Sequence, residues 1–157
     1  MNKKIVRLGE LVCVLLLIGF IAWASGQDKV SQAPFADVAK NVIQSCDLAG
    51  LKKRSRLEVK AKYGIDAAGY NAAVCFNSDS VMDVRELIII SGDKQALESA
   101  EEKISDYVKE KGTLFEGYAP RESELIASHL LTVKKGYLIF YIGQEKEKVA
   151  DTFSESL

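Results

Sequence analysis

The stretch Glu86–Gly112 constrains the fold more than any other part of the sequence, because it predicts a buried strand, a turn and an amphipathic helix. Leu87–Ile90 is an uninterrupted apolar run rich in β-branched residues, which is typical of a strand covered on both faces. Asp93 is predicted to cap the following helix, and Gly112 is predicted to end it. Apolar residues recur at helical spacing between these two, at Leu97, Ala100, Ile104, Tyr107 and Val108.

The size and charge of the chain limit what it can be. With 157 residues, the chain is long enough for one domain with a hydrophobic core after its first 24 residues. The net charge of −1 conceals an excess of bases before residue 64 and an excess of acids after it. This acidic remainder, together with the export signal described next, disfavours nucleic acid as a partner.

Residues 1–24 are predicted to be a signal peptide or a signal-anchor transmembrane helix. Three bases precede Leu11–Ala24, a run of fourteen residues without charge. Ala22-Trp23-Ala24 fits the pattern that a signal peptidase cleaves, whereas Trp23 also suits the outer interface of a retained anchor. Both alternatives remain open. In the first the domain is secreted after cleavage at Ala24, and in the second it stays at the cell membrane outside the cytoplasm.

Residues 25–34 are predicted to be a polar linker, and residues 35–157 a single extracytoplasmic domain. The other predicted elements are helices over residues 35–46, 120–130 and 144–153 and strands over residues 71–76, 131–133 and 137–142. The period of Lys52–Lys62 fits both a helix and a strand. A three-residue loop ending in Gly136 predicts a hairpin.

The order of these elements predicts an α+β domain with a mainly antiparallel sheet of about four strands packed by helices on one side. A ferredoxin-like arrangement is one candidate topology. No internal repeat is evident in the sequence.

Several fragments between Phe35 and Phe153 together resemble a known family. These fragments are Tyr63-Gly64-Ile65-Asp66, Met82-Asp83, Glu86-Leu87, Phe115-Glu116-Gly117-Tyr118-Ala119-Pro120 and Gly136-Tyr137. They are similar to a family of exported proteins of Gram-positive bacteria known only as a domain of unknown function (the DUF family 4358 type). The resemblance implies an exported location and a shared architecture. It brings no activity, so no catalytic residue is carried over.

The sequence predicts no catalytic, metal or cofactor site. Cys46 and Cys75 are the cysteines that follow the apolar segment, and two free thiols are favoured over a disulfide. His129 is the single histidine and has no metal-ligand partner at the usual spacing, so we expect a structural role. No serine lies in a GxSxG turn, and no Gly-rich phosphate loop is present.

The candidate binding residues form a basic group and an acidic group. The basic group lies in the run Lys52–Lys62 and comprises Lys52, Lys53, Arg54 and Arg56. A solvated face is favoured there over contact with anionic lipids or wall polymers. Glu86, Glu116 and Tyr118 are the residues that would line a groove, but charged residues at the ends of elements are mostly exposed. We therefore interpret Glu86 as a solvated strand-end charge and the turn that contains Glu116 and Tyr118 as one packed by its aromatic residues.

These observations lead to one hypothesis about function and two alternatives. The leading hypothesis is an exported, membrane-associated binding or assembly module of the bacterial cell envelope, with an envelope protein or an anionic surface polymer as partner. One alternative is a small hydrolase or ligand-binding domain with an acidic groove near Glu86 and Glu116. The other is a domain that builds oligomers.

Overall fold

A computed structural model describes residue 16 and residues 30–157 of the chain. The chain divides into two compact units, residues 1–30 and residues 31–157. Of the first unit only Leu16, which is helical and exposed, and Val30 are described. The predicted signal peptide or anchor and half of the predicted linker therefore lie outside the described residues. Within the described residues, no helix is both long enough and apolar enough to cross a membrane.

The described part of the second unit contains five α-helices and five strands, which confirms the predicted α+β class. In chain order the elements are α1 Phe35–Ser45, β1 Lys52–Lys53, α2 Arg56–Tyr63, β2 Ala72–Asn77, β3 Glu86–Ser91, α3 Lys94–Phe115, α4 Pro120–Ala127, β4 Leu130–Lys134, β5 Tyr137–Ile142 and α5 Lys146–Glu155. The strands form one antiparallel sheet in the order β1-β2-β3-β5-β4. The sheet thus has five strands rather than about four, because the run that was ambiguous in the sequence contributes the short β1.

The centre of the sheet is formed by β3 and β5, and all six residues of each strand are buried. Because β5 pairs antiparallel with both β3 and β4, the latter two strands are parallel to each other and are separated by β5. This is the split β-α-β unit that also occurs in ferredoxin-like folds. The helices, however, cover both faces of the sheet, so the prediction of one covered side is wrong.

The residues of β3 alternate between two hydrophobic cores, because successive side chains of a strand point to opposite faces. Leu87 and Ile89 pack against α1 and α5 on one face. Ile88 and Ile90 pack against α2, α3 and α4 on the other. Glu86 shares the face of Ile88, so its side chain points into the layer formed by α2 and α3.

Helix α3 begins as the sequence predicts and ends later than predicted. The side chain of Asp93 accepts a hydrogen bond from the Ala96 amide at 2.8 Å and caps the helix. The helix continues through Gly112 to Phe115. An interior glycine costs a helix about 1 kcal/mol relative to alanine, and packing against α4 outweighs this cost. The left-handed glycine of this region is instead Gly117, with φ 72°.

The run Lys52–Lys62 divides between β1 and α2. The division occurs at Ser55, whose side chain accepts from the Glu58 amide while the Glu58 carboxylate accepts from the Ser55 amide. This capping box fixes the start of α2, and Gly64, with φ 69°, ends it. The spacing of Ser55 and Glu58 is a helix-start signal that resolves the ambiguity in the sequence.

The hairpin between β4 and β5 has a two-residue loop rather than the predicted three-residue loop. Lys134 pairs with Tyr137 across the end of the hairpin. Lys135 and Gly136 form the turn with φ values of 50° and 85°. Two positive φ values are the signature of a type I′ turn, whose twist matches that of the paired strands.

Candidate functional site around Glu86

The carboxylate of Glu86 is the most unusual polar group of the described structure, because it is only 1% exposed at the first residue of a strand. Its Oε1 accepts hydrogen bonds from Lys62 Nζ and Tyr107 OH, both at 2.7 Å, and from Lys111 Nζ at 2.8 Å. Its Oε2 accepts from Tyr63 OH at 3.0 Å. We call these five residues the Glu86 cluster. The interpretation of Glu86 as a solvated strand-end charge is therefore wrong.

Three elements bring the Glu86 cluster together. Lys62 and Tyr63 lie in the last turn of α2, and Tyr107 and Lys111 lie one turn apart on α3, so that both of the latter side chains face the start of β3. The rings of Tyr63 and Tyr107 meet edge to face, with centroids 4.8 Å apart. The ammonium group of Lys62 lies 5.4 Å from the centroid of the first ring and 5.8 Å from that of the second.

A hydrogen-bonded chain links the Glu86 cluster to the surface. Asn77, at the end of β2, is 4% exposed and donates to the Tyr63 hydroxyl oxygen at 2.9 Å. Because that oxygen accepts from Asn77, the Tyr63 hydroxyl proton is directed at Glu86. Arg54 in turn donates from Nε to Asn77 Oδ1 at 2.5 Å and pairs with Asp79 at 2.6 Å. The basic run is thus connected to Glu86 through one amide and one phenol.

Burial controls the protonation of the groups around Glu86. It raises the pKa of Tyr63 and of Tyr107 above the ordinary value, and the negative charge of Glu86 adds to the shift. Burial lowers the pKa of Lys111, while its ion pair with Glu86 opposes that change. The two tyrosines therefore act as neutral hydrogen-bond donors. A carboxylate that already accepts from four donors is not placed as a free general base.

A cavity of about 290 Å³ opens onto the Glu86 cluster. Its volume lies just below the range of roughly 300–1,000 Å³ that is usual for small-molecule sites. Among its lining residues Glu86 is buried and Lys111 is half-buried, whereas Val81 and Leu114 are exposed. The remaining lining residues are Lys62, Ser78, Asp79, Ser80, Asp83, Tyr107, Glu110 and Phe115.

A larger cavity of about 460 Å³ shares Ser80 and Asp83 with the first. One of its two lining cations, Arg85, pairs with Asp83 at 2.7 Å and with Asp47 at 3.0 Å. These three charged groups are already paired with one another. The smaller cavity is therefore the better candidate site, because it contains a buried carboxylate and two lysines that share it.

The predicted basic group does not form a uniform positive surface. Lys52 and Arg54 both pair with Asp79. Lys53 and Arg56 are exposed, and neither forms an ion pair with another residue of the described range 30–157. Only part of this group is therefore available to an anionic surface.

The acidic group is not brought together either. Glu116 and Tyr118 are exposed, and neither lines the cavity beside Glu86. Tyr118 is 72% exposed, so its interpretation as part of a packed turn is wrong. Instead of the groove predicted near Glu86 and Glu116, the structure has a cavity in which two lysines and Tyr107 accompany Glu86.

Sequence reasoning missed Lys62, Tyr63, Tyr107 and Lys111 as site residues. One signal was present, since the spacing of Tyr107 and Lys111 puts a phenol and an ammonium on one face of the predicted helix. Nothing in the sequence indicated that the same face would meet Glu86. Tyr107 fitted equally well as an ordinary core residue.

Cys46 and Cys75 are free thiols, and His129 has structural contacts. Burial raises the pKa of Cys46 to about 11 and that of Cys75 to about 12. His129 Nδ1 lies 2.8 Å from the Ile126 carbonyl oxygen, and its ring packs near Phe140. In the described part of the chain, no group of three or more potential ligands is arranged to hold a metal ion.

The raised pKa values of Cys75, Tyr63 and Tyr107 predict that the protein loses stability at alkaline pH. The unfolded Cys75 thiol ionises near its ordinary pKa of 9.0 and the folded thiol near 12, so its contribution is complete below about pH 9 and is lost as the pH rises toward 12. The raised pKa values of Tyr63 and Tyr107 act in the same direction. Lys111 opposes them, because a folded-state pKa below the unfolded value makes stability increase with pH.

The net decrease in the free energy of unfolding is measurable by urea unfolding at a series of pH values from about 8 to about 11. The Cys75→Ala variant removes the thiol, and we expect its free energy of unfolding to fall less steeply with pH. An equal slope in both proteins would show that Cys75 does not contribute.

A family model described as "Domain of unknown function (DUF4358)" matches residues 44–143. The chain belongs to this family. The DUF4358 match confirms the resemblance found in the sequence. It extends from the end of α1 to just beyond β5 and contains the whole Glu86 cluster. No curated protein and no solved structure matches the chain significantly.

Proposed function

We propose that this DUF4358 protein is an exported, membrane-associated binding module of the bacterial cell envelope, and that its ligand or partner binds at the cavity beside the Glu86 cluster. One observation carries the binding part of the proposal. The cavity combines charged groups of the buried Glu86 and the half-buried Lys111 with the exposed apolar side chains of Val81 and Leu114.

The apolar part of the lining supports binding. Val81 is 84% exposed and Leu114 is 76% exposed. Single exposed apolar side chains are common on protein surfaces. Here two of them, from the β2–β3 loop and from the end of α3, line the same cavity next to the half-buried Phe115. Apolar walls with a few well-placed polar groups are typical of ligand sites.

The chemistry of Glu86 supports binding over hydrolysis. A general base needs an oxygen that reaches the substrate, and both oxygens of Glu86 already accept hydrogen bonds. Paired-carboxylate catalysis needs a second available acid across the same site. Glu116 does not line the cavity, and Asp79 and Asp83, which do, are held in ion pairs with basic residues outside it. What the cluster offers a ligand is the ammonium groups of Lys62 and Lys111.

The export part of the proposal follows from residues 1–24, whose sequence has the charge and hydropathy of a signal peptide or anchor. It is tested by adding protease to intact cells that express the full chain with a C-terminal tag. We expect the tag to be degraded without cell lysis. Protection of the tag until lysis would contradict the proposed location.

The binding part is tested by site-specific photo-cross-linking in the full chain. A photoreactive amino acid replaces Leu114, which lines the cavity, or Leu57, which is 79% exposed in α2 and does not line it. We expect a discrete adduct from position 114 in the native membrane fraction and none of that mass from position 57. Identical adducts from both positions, or none from either, would contradict a binding site at this cavity.

A further inference from the structure

The Glu86 cluster contains more positive than negative charge. Within residues 30–157, Lys62 and Lys111 each form an ion pair with one carboxylate only, and in both cases it is that of Glu86. Both ammonium groups contact the same oxygen, at 2.7 Å and 2.8 Å. One carboxylate thus pairs with two lysines, which leaves the cluster with one more positive charge than negative.

The other acids of the cavity limit how much negative charge a ligand can carry. Asp79 pairs with Lys52 and Arg54, and Asp83 pairs with Arg85, so both are compensated outside the cavity. Glu110 is exposed and forms no ion pair with another described residue. These three acids line the same cavity as the two lysines, and like charges brought together in a site repel. A doubly charged anion is therefore disfavoured relative to a singly charged one.

Lys62 is the group placed to receive such an anion. Its side chain is 35% exposed, whereas that of Lys111 is 11% exposed. Lys62 has no other acceptor among the described residues, while Lys111 also donates to the Val84 carbonyl oxygen at 3.2 Å. An ammonium group has three protons to donate, so Lys62, which lines the cavity, retains donors for a ligand.

We infer that the cavity binds a small monocarboxylate with an apolar substituent. The carboxylate contacts Lys62 and Lys111, and the substituent packs on Val81, Leu114 and Phe115. The ligand supplies the single negative charge that the cluster lacks, and it covers two exposed apolar side chains. This inference rests on the proposed function, since it names the ligand class of the same site.

The test uses the full chain in detergent and isothermal titration with N-acetyl-leucine. The uncharged N-acetyl-leucinamide, acetate and inorganic phosphate serve as comparison probes. We expect saturable binding of N-acetyl-leucine. Because a hydrogen bond to a charged group contributes about 1.5–3 kcal/mol, the amide should bind roughly ten- to a hundred-fold more weakly. Acetate lacks the apolar substituent and phosphate carries more charge, so both should also bind more weakly.

Lys62→Gln is the informative variant, because Lys62 is partly exposed and its loss leaves Glu86 paired with Lys111. We expect it to weaken the binding of N-acetyl-leucine by about ten-fold or more. The matched control is Lys60→Gln, on the same helix, whose lysine pairs with Asp66 and does not line the cavity. The control should leave the affinity unchanged. Thermal unfolding of both variants establishes that they are folded.

The inference would be overturned by no saturable binding of N-acetyl-leucine, by equal binding of the amide, or by unchanged binding in Lys62→Gln. Tighter binding of phosphate would also overturn it, because it would show that the site prefers a higher charge. If a cross-link from position 114 is found alongside any of these results, only the ligand class is wrong. If the cross-link is absent as well, the proposed function fails with it.

Discussion

The Glu86→Ala variant is expected to be less stable than the unsubstituted protein by about 3–5 kcal/mol, because removing one partner of a buried ion pair leaves the other charge uncompensated. Most of this loss comes from the uncompensated charge of Lys111, because its side chain is 11% exposed and reaches water less readily than that of Lys62. The hydroxyls of Tyr63 and Tyr107 also lose the oxygen to which they donate. The measurement is urea unfolding followed by circular dichroism at neutral pH.

Two further variants separate charge from packing. In Glu86→Ala combined with Lys111→Met, the unpaired ammonium is removed, so we expect the double variant to be more stable than the sum of the single effects predicts. Glu102→Ala, an exposed acid on α3, should change the free energy of unfolding by less than about 0.5 kcal/mol. Strict additivity in the double variant would show that Glu86 and Lys111 do not stabilise each other.

The Phe140→Ala variant is expected to lose a similar amount of stability, about 3–5 kcal/mol, for a different physical reason. Phe140 is fully buried in β5, where it lies opposite Ile88 of β3 and Leu131 of β4. Its removal leaves a cavity at the centre of the sheet that the rigid strands on either side cannot close. The free energy of unfolding in urea measures the loss.

The control for Phe140 is an apolar residue that the fold does not bury. Leu57→Ala removes a side chain that is 79% exposed, and we expect a change of less than about 0.5 kcal/mol. A Phe140→Ala variant that unfolds at nearly the same urea concentration as Leu57→Ala would contradict the central position of β5.

Local patterns in the sequence predicted the centre of the fold well. The apolar run of β3, the cap at Asp93 and the first turns of α3 follow from side-chain periodicity and from hydrogen bonding within a few residues. The end of α3 was mispredicted at Gly112. Whether a glycine ends a helix depends on what packs against the following turn, and here α4 does so.

The candidate site was much less predictable. Glu86 was interpreted as a solvated charge because it precedes an apolar strand, where acids are normally exposed. Its burial depends on Lys62, which is 24 residues earlier, and on Lys111, which is 25 residues later. No periodicity links three positions so far apart in sequence. The basic run was misleading in the same way, since Asp79 forms ion pairs with Lys52 and Arg54 only once β1 and β2 are paired.

The sequence by itself therefore determined the DUF4358 family, the α+β class and the strand, turn and helix at its centre. These depend on interactions between near neighbours along the chain, which leave a periodic pattern. Only the tertiary structure decided that Glu86 is buried, that two lysines and two tyrosines surround it, and that a cavity opens beside them. Ion pairs and cavities form between distant segments, and their energies depend on burial, which the order of residues does not record.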